Sequence, residues 1–244
     1  MHITRLVAGT VTAGLLGLTP LAVSAPANAT DNLTTTVTLE QNYGSTRVTY
    51  GEEVSFISEV TASDGGSPYN EADTVTLWAM PAGTSTWTAV ESQPGSGYIS
   101  WTNFKPQQST AYKVTYSGGT ATSTYSDNYA ASESAPVAIG VARKITYPRS
   151  GFVLKGKVTP NYVKKKIVIK VSKKKNKGFK SFKTIKTTST GKYKVTLPRR
   201  GGTWYWSFTV KGDSKYLANG FLWRTWVRPP DLRTCRPKPE ARLP

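Results

Sequence analysis

The chain has 244 residues, with 32 Lys+Arg against 14 Asp+Glu and a formal net charge of +18. It contains one histidine, His2, and one cysteine, Cys235. His2 falls inside an expected export signal, so the exported chain would have no histidine. That excludes Ser-His-Asp and Cys-His catalytic sites as well as histidine-ligated metal centres. A single cysteine also excludes an intramolecular disulfide framework.

The first 29 residues have the pattern of a cleavable export signal. A short, positively charged start is followed by a weakly apolar stretch from Leu6 to Val23. The small residues Ala27 and Ala29 predict cleavage between Ala29 and Thr30. No later segment approaches the roughly 20 apolar residues that a membrane span needs. We therefore expect a secreted or loosely surface-associated protein.

Charge divides the rest of the chain into two halves. Residues 30–138 carry 11 acidic and 3 basic side chains, a net charge of −8, whereas residues 139–244 carry 28 basic and 3 acidic ones, a net charge of +25. The small, polar stretch 130–136 has the composition of a linker. We expect an acidic domain at 30–138, a basic domain at 139–228 and a disordered, basic, proline-rich tail at 229–244.

Both halves contain short runs of alternating apolar residues separated by Gly, Pro, Ser and Asn. No segment has the 3.6-residue period of a helix. The runs predict strands at 35–39, 54–57, 74–78, 112–116, 152–155, 167–171, 193–197 and 206–210. Their spacing suits about seven strands in each half, which predicts an all-β fold of two tandem antiparallel β-sandwiches.

The two halves also resemble each other. Residues 112–118 match 206–212 at the alternating apolar positions and the final glycine, and 129–132 match 216–219. Residues 87–90 match 179–182, because each range begins with an aromatic residue and has an apolar residue three positions later. This repeat resembles the tandem Ig-like domains of exported proteins from high-GC Gram-positive bacteria. The resemblance implies an Ig-like sandwich but no particular ligand, because such repeats serve as stalks, spacers and binding modules.

The acidic residues offer little catalytic chemistry. Glu52 and Glu53 are adjacent at the start of a strand and so face opposite sides, which rules them out as a convergent carboxylate pair. Asp64, Glu71 and Asp73 lie in one loop, where their carboxylates offer a possible calcium-binding site. They lack the spacing of a calcium-binding loop, so a solvated acidic loop is the favoured interpretation. We expect no catalytic residue, no metal and no cofactor.

The basic half carries the strongest functional signal, with 11 lysines between residues 164 and 186. Apolar residues interleave with them, so that Ile167 and Ile169 face the core while Lys166 and Lys170 face solvent. We expect a lysine-covered sheet face and loop that attract polyanions, with an affinity that falls as salt rises. The candidate binding residues are Lys164, Lys166, Lys170, Lys173, Lys174, Lys175, Lys177, Lys180, Lys183, Lys192, Lys194 and Tyr205.

Aromatic residues cluster near the end of the basic half. Alternation places Trp204 and Trp206 on an inward face and Tyr205 on the outward face, where its ring is able to stack on sugars or bases. Trp223 and Trp226 complete this group of five aromatic residues, and core packing is the expected role for most of the group.

These features predict a non-enzymatic protein whose basic domain attaches to an anionic cell-envelope polymer, lipid or acidic glycan. The acidic domain would act as a spacer or protein contact. Two alternatives remain open, namely self-association through pairing of acidic with basic domains, and extracellular nucleic-acid binding, which is less favoured. Cys235 would be available for an intermolecular disulfide or would stay an unpaired thiol.

Overall fold

The computed structural model of the protein describes residues 30–68, 73–95 and 97–228. The export signal up to Ala29, the residue Glu71 and the tail with Cys235 lie outside these ranges. The described residues form strands and no helix, so none of them belongs to a helix long and apolar enough to cross a membrane.

The described part of the chain contains eighteen strands. The first eleven are β1 (Asn32–Leu33), β2 (Thr35–Gln41), β3 (Arg47–Thr49), β4 (Val54–Ala62), β5 (Thr74–Pro81), β6 (Thr88–Pro94), β7 (Tyr98–Phe104), β8 (Thr110–Tyr116), β9 (Asn128–Tyr129), β10 (Ser132–Glu133) and β11 (Val137–Ala142). The other seven are β12 (Lys144–Ile145), β13 (Val153–Thr159), β14 (Lys166–Ser172), β15 (Lys180–Lys186), β16 (Lys192–Thr196), β17 (Gly202–Val210) and β18 (Asn219–Val227).

The first sandwich packs a three-stranded sheet, β2-β4-β7, against a larger sheet in the order β3-β11-β8-β5-β6. Side chains from alternate positions of both sheets fill the space between them, with Phe56 and Trp101 on one side and Leu77 and Val114 on the other. The fully buried indole of Trp101 donates its Nε1–H to Oγ of Ser58 over 2.9 Å. This bond satisfies the one polar group of that ring.

The second sandwich repeats the plan with the sheets β12-β13-β16 and β15-β14-β17-β18. Leu154 from the smaller sheet meets Ile169 and Trp206 from the larger one. Trp206 is fully buried, and its Nε1–H donates to Oγ1 of Thr225 over 2.9 Å. The indole of Trp101 donates to the Ser58 hydroxyl in the same way in the first sandwich.

Both sandwiches connect their strands in the same way. The seven main strands of the first half are β2, β4, β5, β6, β7, β8 and β11, and those of the second half are β12 to β18. In each set, the first, second and fifth strands form one sheet and the other four belong to the second sheet. This is the arrangement of an Ig-like sandwich. The predicted all-β fold of two tandem Ig-like sandwiches is therefore confirmed. The stretches matched in sequence, 112–118 and 206–212, fall on β8 and β17, which hold equivalent positions in the two halves.

The junction between the sandwiches lies later than the sequence suggests. β11 pairs with β8 and β3, and its residues Ile139 and Val141 are buried in the first core. The boundary expected between residues 138 and 139 therefore falls inside a strand of the first sandwich. The stretch 130–136 includes β10, which pairs with β8, so it is not a free linker. Arg143 alone separates β11 from β12.

The loop between β17 and β18 packs onto the first sandwich. Tyr216 is buried in the first core, and its hydroxyl donates to the Gln107 carbonyl over 2.9 Å. The Leu217 amide donates to the Val141 carbonyl over 2.8 Å. The second sandwich thus completes the core of the first, and the halves meet without a spacer segment.

Candidate functional site

The predicted polyanion-binding lysines are all exposed, but they lie on different faces. Lys166 and Lys170 point outward from β14 in the four-stranded sheet, whereas Lys192 and Lys194 point outward from β16 in the three-stranded sheet on the opposite side. The expectation of a single lysine-covered face is therefore wrong. Alternation shows which side of a strand a residue occupies, but not which sheet the strand joins.

Five lysines line a cleft of about 900 Å³ at one end of the four-stranded sheet. Lys166 and Lys186 lie directly opposite each other on β14 and β15. Val168 and Thr184 line the cleft beside them. The cleft brings together the predicted residues Lys164 and Lys166 with three lysines that were not among the predicted site residues, Lys165, Lys186 and Lys211.

The backbone before β14 fixes the mouth of this cleft. Lys164 has a φ of +54°, a left-handed conformation that costs a non-glycine residue about 1 kcal/mol. Thr187 holds the segment in place, because its Oγ1 accepts a 3.1 Å hydrogen bond from the Lys165 amide and donates to the Tyr162 carbonyl. The Tyr162 hydroxyl in turn donates to the Lys166 carbonyl over 2.6 Å. The lysine backbone is thus positioned while the ammonium groups stay in solvent.

Only one acidic residue, Asp213, lines the cleft. Its Oδ2 accepts a 2.6 Å bond from Arg143 Nη2, and its Oδ1 accepts from the backbone amides of Lys215 and Tyr216, both over 3.0 Å. Burial by itself raises the pKa of the Asp213 carboxyl, but the bonds from Arg143 and the amides outweigh it and lower the pKa. The pair of Arg143 with Asp213 is the only ion pair within residues 139–228, so the cleft lysines have no acidic partner there.

A second basic region lies at the other end of β14. Its hairpin tip carries the predicted residues Lys173, Lys174, Lys175 and Lys177, all exposed. The Lys173 ammonium lies 5.3 Å from the ring centre of Trp204, and the Arg200 guanidinium lies 4.7 Å from the same ring. Trp204 packs against the core but stays half-buried, because the Lys173 and Arg200 cations also contact its ring.

A third basic region covers the outer face of the three-stranded sheet. Lys155 lies directly opposite Lys194, and Lys157 directly opposite Lys192, on the antiparallel strands β13 and β16. All four side chains are exposed. Like charges directly opposite each other destabilise a sheet. Lys155 and Lys157 were missed as site residues, although their alternation with the apolar Leu154 and Val158 was a signal in the sequence.

The aromatic residues near the C-terminal end divide between core and surface. Trp206 and Trp223 are buried, as expected. Trp226 is 59% exposed, so it is not among the rings that pack in the core. The inward positions of β18 are taken by Trp223 and Thr225, which leaves Trp226 on the outward face with Arg224. Arg224 lies opposite the half-buried Tyr205 on β17.

One of the three carboxylates considered for a calcium-binding site is buried in the acidic half. Asp73 is 1% exposed, and its Oδ2 accepts a hydrogen bond from the Tyr116 hydroxyl, while its Oδ1 has no partner. Burial raises the pKa of the Asp73 carboxyl, and the bond from Tyr116 lowers it by less. Asp64 accepts from the Gly66 amide in its own turn. Among the residues described, no group of three or more His, Cys, Asp or Glu is placed to hold a metal ion.

Comparison with known proteins identifies no family for the chain. No family model and no curated protein matches the chain. Among solved structures, the chicken interferon gamma receptor alpha chain shares 11% identity with a TM-score of 0.37, covering 80% of this chain and 98% of that one. The human OSCAR ligand-binding domain shares 13% identity with a TM-score of 0.24, over 80% and 98% of the two chains. A marsupial T cell receptor shares 9% identity with a TM-score of 0.30, over 78% and 62%. At these scores the similarity carries no argument about function.

Proposed function

We propose that the protein is an exported, non-enzymatic binding module whose basic sandwich holds an anionic polymer of the cell envelope. The acidic sandwich serves as a spacer or protein contact. One observation carries the proposal: five lysines line one cleft, and its single acid, Asp213, is already bound to Arg143. The positive charge of the cleft is therefore free to attract an external anion.

The type of cation indicates the mode of binding. Lysine ammonium groups are hydrated point charges on flexible stems, which suits diffuse attraction to a chain of anions better than the bidentate recognition of one group. The facing pairs Lys166 with Lys186 and Lys155 with Lys194 cost stability in the free protein. An anion between two such lysines relieves that repulsion. Bound polymer should therefore also stabilise the fold.

The experiment uses the chain from Thr30 onward and long-chain polyphosphate as the probe, because polyphosphate carries charge without other recognition features. Affinity is measured from about 50 to about 500 mM NaCl, and log affinity should fall linearly with log salt. A cleft variant combines Lys164→Gln, Lys166→Gln and Lys186→Gln. Its matched control removes the same charge from the opposite face with Lys155→Gln, Lys157→Gln and Lys192→Gln.

We expect the cleft variant to lose about tenfold or more in affinity and a clear part of the salt slope, and the control to lose less. Equal losses would assign the attraction to the net charge of the half and remove the cleft from the proposal. The absence of binding at the lowest salt would overturn it. Sizing of the free protein in the same salt series tests the self-association alternative, which requires oligomers at low salt that dissociate at high salt.

A further inference from the structure

The outer face of the four-stranded sheet joins the lysine cleft to an exposed aromatic pair. Cross-strand rows run from Lys166 opposite Lys186, through Val168 opposite Thr209, to Tyr205 opposite Arg224. A final row places Trp226 opposite Thr203. At about 3.3 Å per residue, the distance from the first row to the last is about 25 Å. This strip, from the cleft to Trp226, is long enough for several units of a linear polymer.

The middle of the strip presents hydroxyl groups. Ser207 and Thr209 point outward there, Thr184 does so beside the cleft and Thr203 in the last row, and none of these side chains makes a hydrogen bond within the described residues. A hydroxyl is both donor and acceptor, which matches the hydroxyl groups of a sugar. The strands of this sheet, β14, β15, β17 and β18, contain no Asp or Glu. Between the cleft, which Asp213 lines, and Trp226, the strands therefore present no carboxylate that would repel an anion.

The aromatic end needs a flat apolar partner. Trp226 is 59% exposed, and Tyr205 lies diagonally from it on the neighbouring strand, with Arg224 beside both. Stacking on such rings removes apolar surface from water, and the C–H face of a sugar ring provides that surface. A polymer of phosphate and open-chain polyol has no such face.

We infer that the strip binds an acidic glycan, with a sugar ring stacked on Trp226 and Tyr205 and with carboxylate or phosphate groups held by Arg224 and the cleft lysines. The inference rests on the proposed function and narrows its ligand. A single-stranded nucleic acid fits less well, because its successive bases each stack on aromatic residues. On this strip the aromatic residues lie at one end only, with hydroxyl groups between them and the cleft.

The test uses the chain from Thr30 onward with three probes: polygalacturonate, which has rings and carboxylates, long-chain polyphosphate, which has charge alone, and a poly(dT) strand. The variants are Trp226→Ala, Tyr205→Ala and the ring-retaining Trp226→Phe. Tyr125→Ala is the matched control, because Tyr125 is 81% exposed and lies on the acidic half. Circular dichroism checks that each variant is folded.

We expect Trp226→Ala to weaken polygalacturonate binding about tenfold and to leave polyphosphate binding unchanged, with Trp226→Phe retaining most of the affinity. Unchanged polygalacturonate binding in Trp226→Ala would overturn the inference while leaving the proposed function intact. Equal losses for both polymers, or a loss confined to poly(dT), would overturn it as well. If neither polygalacturonate nor polyphosphate binds to the unmodified protein at low salt, the proposed function itself fails.

Discussion

Arg143 Nη2 donates a 2.6 Å hydrogen bond to Oδ2 of Asp213, and its guanidinium lies 5.1 Å from the ring centre of Tyr162 and 4.2 Å from that of Tyr216. Arg143 is only 3% exposed. Its carbonyl accepts a 2.7 Å bond from Asn219 Nδ2. This residue, the only one between the two sandwiches, thus ties the junction to the loop that fills the first core.

Replacing Arg143 should weaken the whole fold. Arg143→Ala removes a desolvated cation from two aromatic rings and should lower the free energy of unfolding by about 3 kcal/mol. Urea denaturation measures the change. Arg149→Ala, at an exposed position between β12 and β13, is the control and should stay within about 0.5 kcal/mol of the unmodified protein. Equal stability of the two variants would show that the junction contacts of Arg143 contribute nothing.

Asp73 should make stability depend on pH. Its raised pKa means that the folded state holds the proton more tightly than the unfolded state does, so the stability of the unmodified protein falls as pH rises from the ordinary aspartate pKa of about 3.9 through the raised value. Asp73→Asn cannot ionise. Its stability relative to the unmodified protein should therefore increase as pH rises from about 4 upward.

Thermal unfolding across this pH range measures the difference. Glu59→Gln, which removes an exposed carboxyl from β4, is the control and should give a nearly constant difference. A difference for Asp73→Asn that shrinks as pH rises has the wrong sign and would contradict the burial argument.

The facing lysines of the three-stranded sheet should respond to a change of sign. Lys194→Glu places an acid opposite Lys155 and should raise the free energy of unfolding by about 0.5 kcal/mol at low salt. High salt should shrink the gain, because these side chains are exposed. Lys175→Glu on the hairpin tip makes the same charge change without a facing lysine. If both variants gain equally, the benefit comes from net charge and not from the cross-strand pair.

The hydrogen bond between Trp206 and Thr225 should contribute to the second core. Thr225→Val leaves the buried indole N–H without a partner and should cost about 1–2 kcal/mol in the free energy of unfolding. The same change should cost less in a Trp206→Phe background, where no N–H needs a partner. A double-mutant cycle by urea denaturation measures this coupling, and strictly additive costs would deny it.

Much of the fold is predictable because it depends on local alternation. Tyr112, Val114 and Tyr116 are apolar at every second position, and all three are buried on β8. On β18, burial alternates but does not follow polarity, because the polar Thr225 is buried against Trp206 while the apolar Trp226 is exposed. That inversion depends on a hydrogen bond to another strand, which the local pattern does not contain.

The site is less predictable because it depends on contacts between distant segments. Lys166 and Lys192 have similar sequence surroundings, yet strand pairing places them in opposite sheets. Lys211 joins the cleft only because β17 pairs with β14, which brings the residue after the end of β17 beside Lys166. The late boundary has a similar cause, since Ile139 and Val141 enter the first core through pairing with β8 and β3.

The direct join at Arg143 affects how the molecule meets a charged surface. The described residues of the two halves carry net charges of −7 and +23 and have no spacer segment between them, so these charges do not rearrange independently. The described part of the protein therefore has a permanent electric dipole moment directed from the acidic sandwich toward the basic one. Near an anionic surface this moment exerts a torque that turns the basic sandwich inward and the acidic one outward before contact. Orientation would precede binding, and the acidic sandwich would face the surrounding medium.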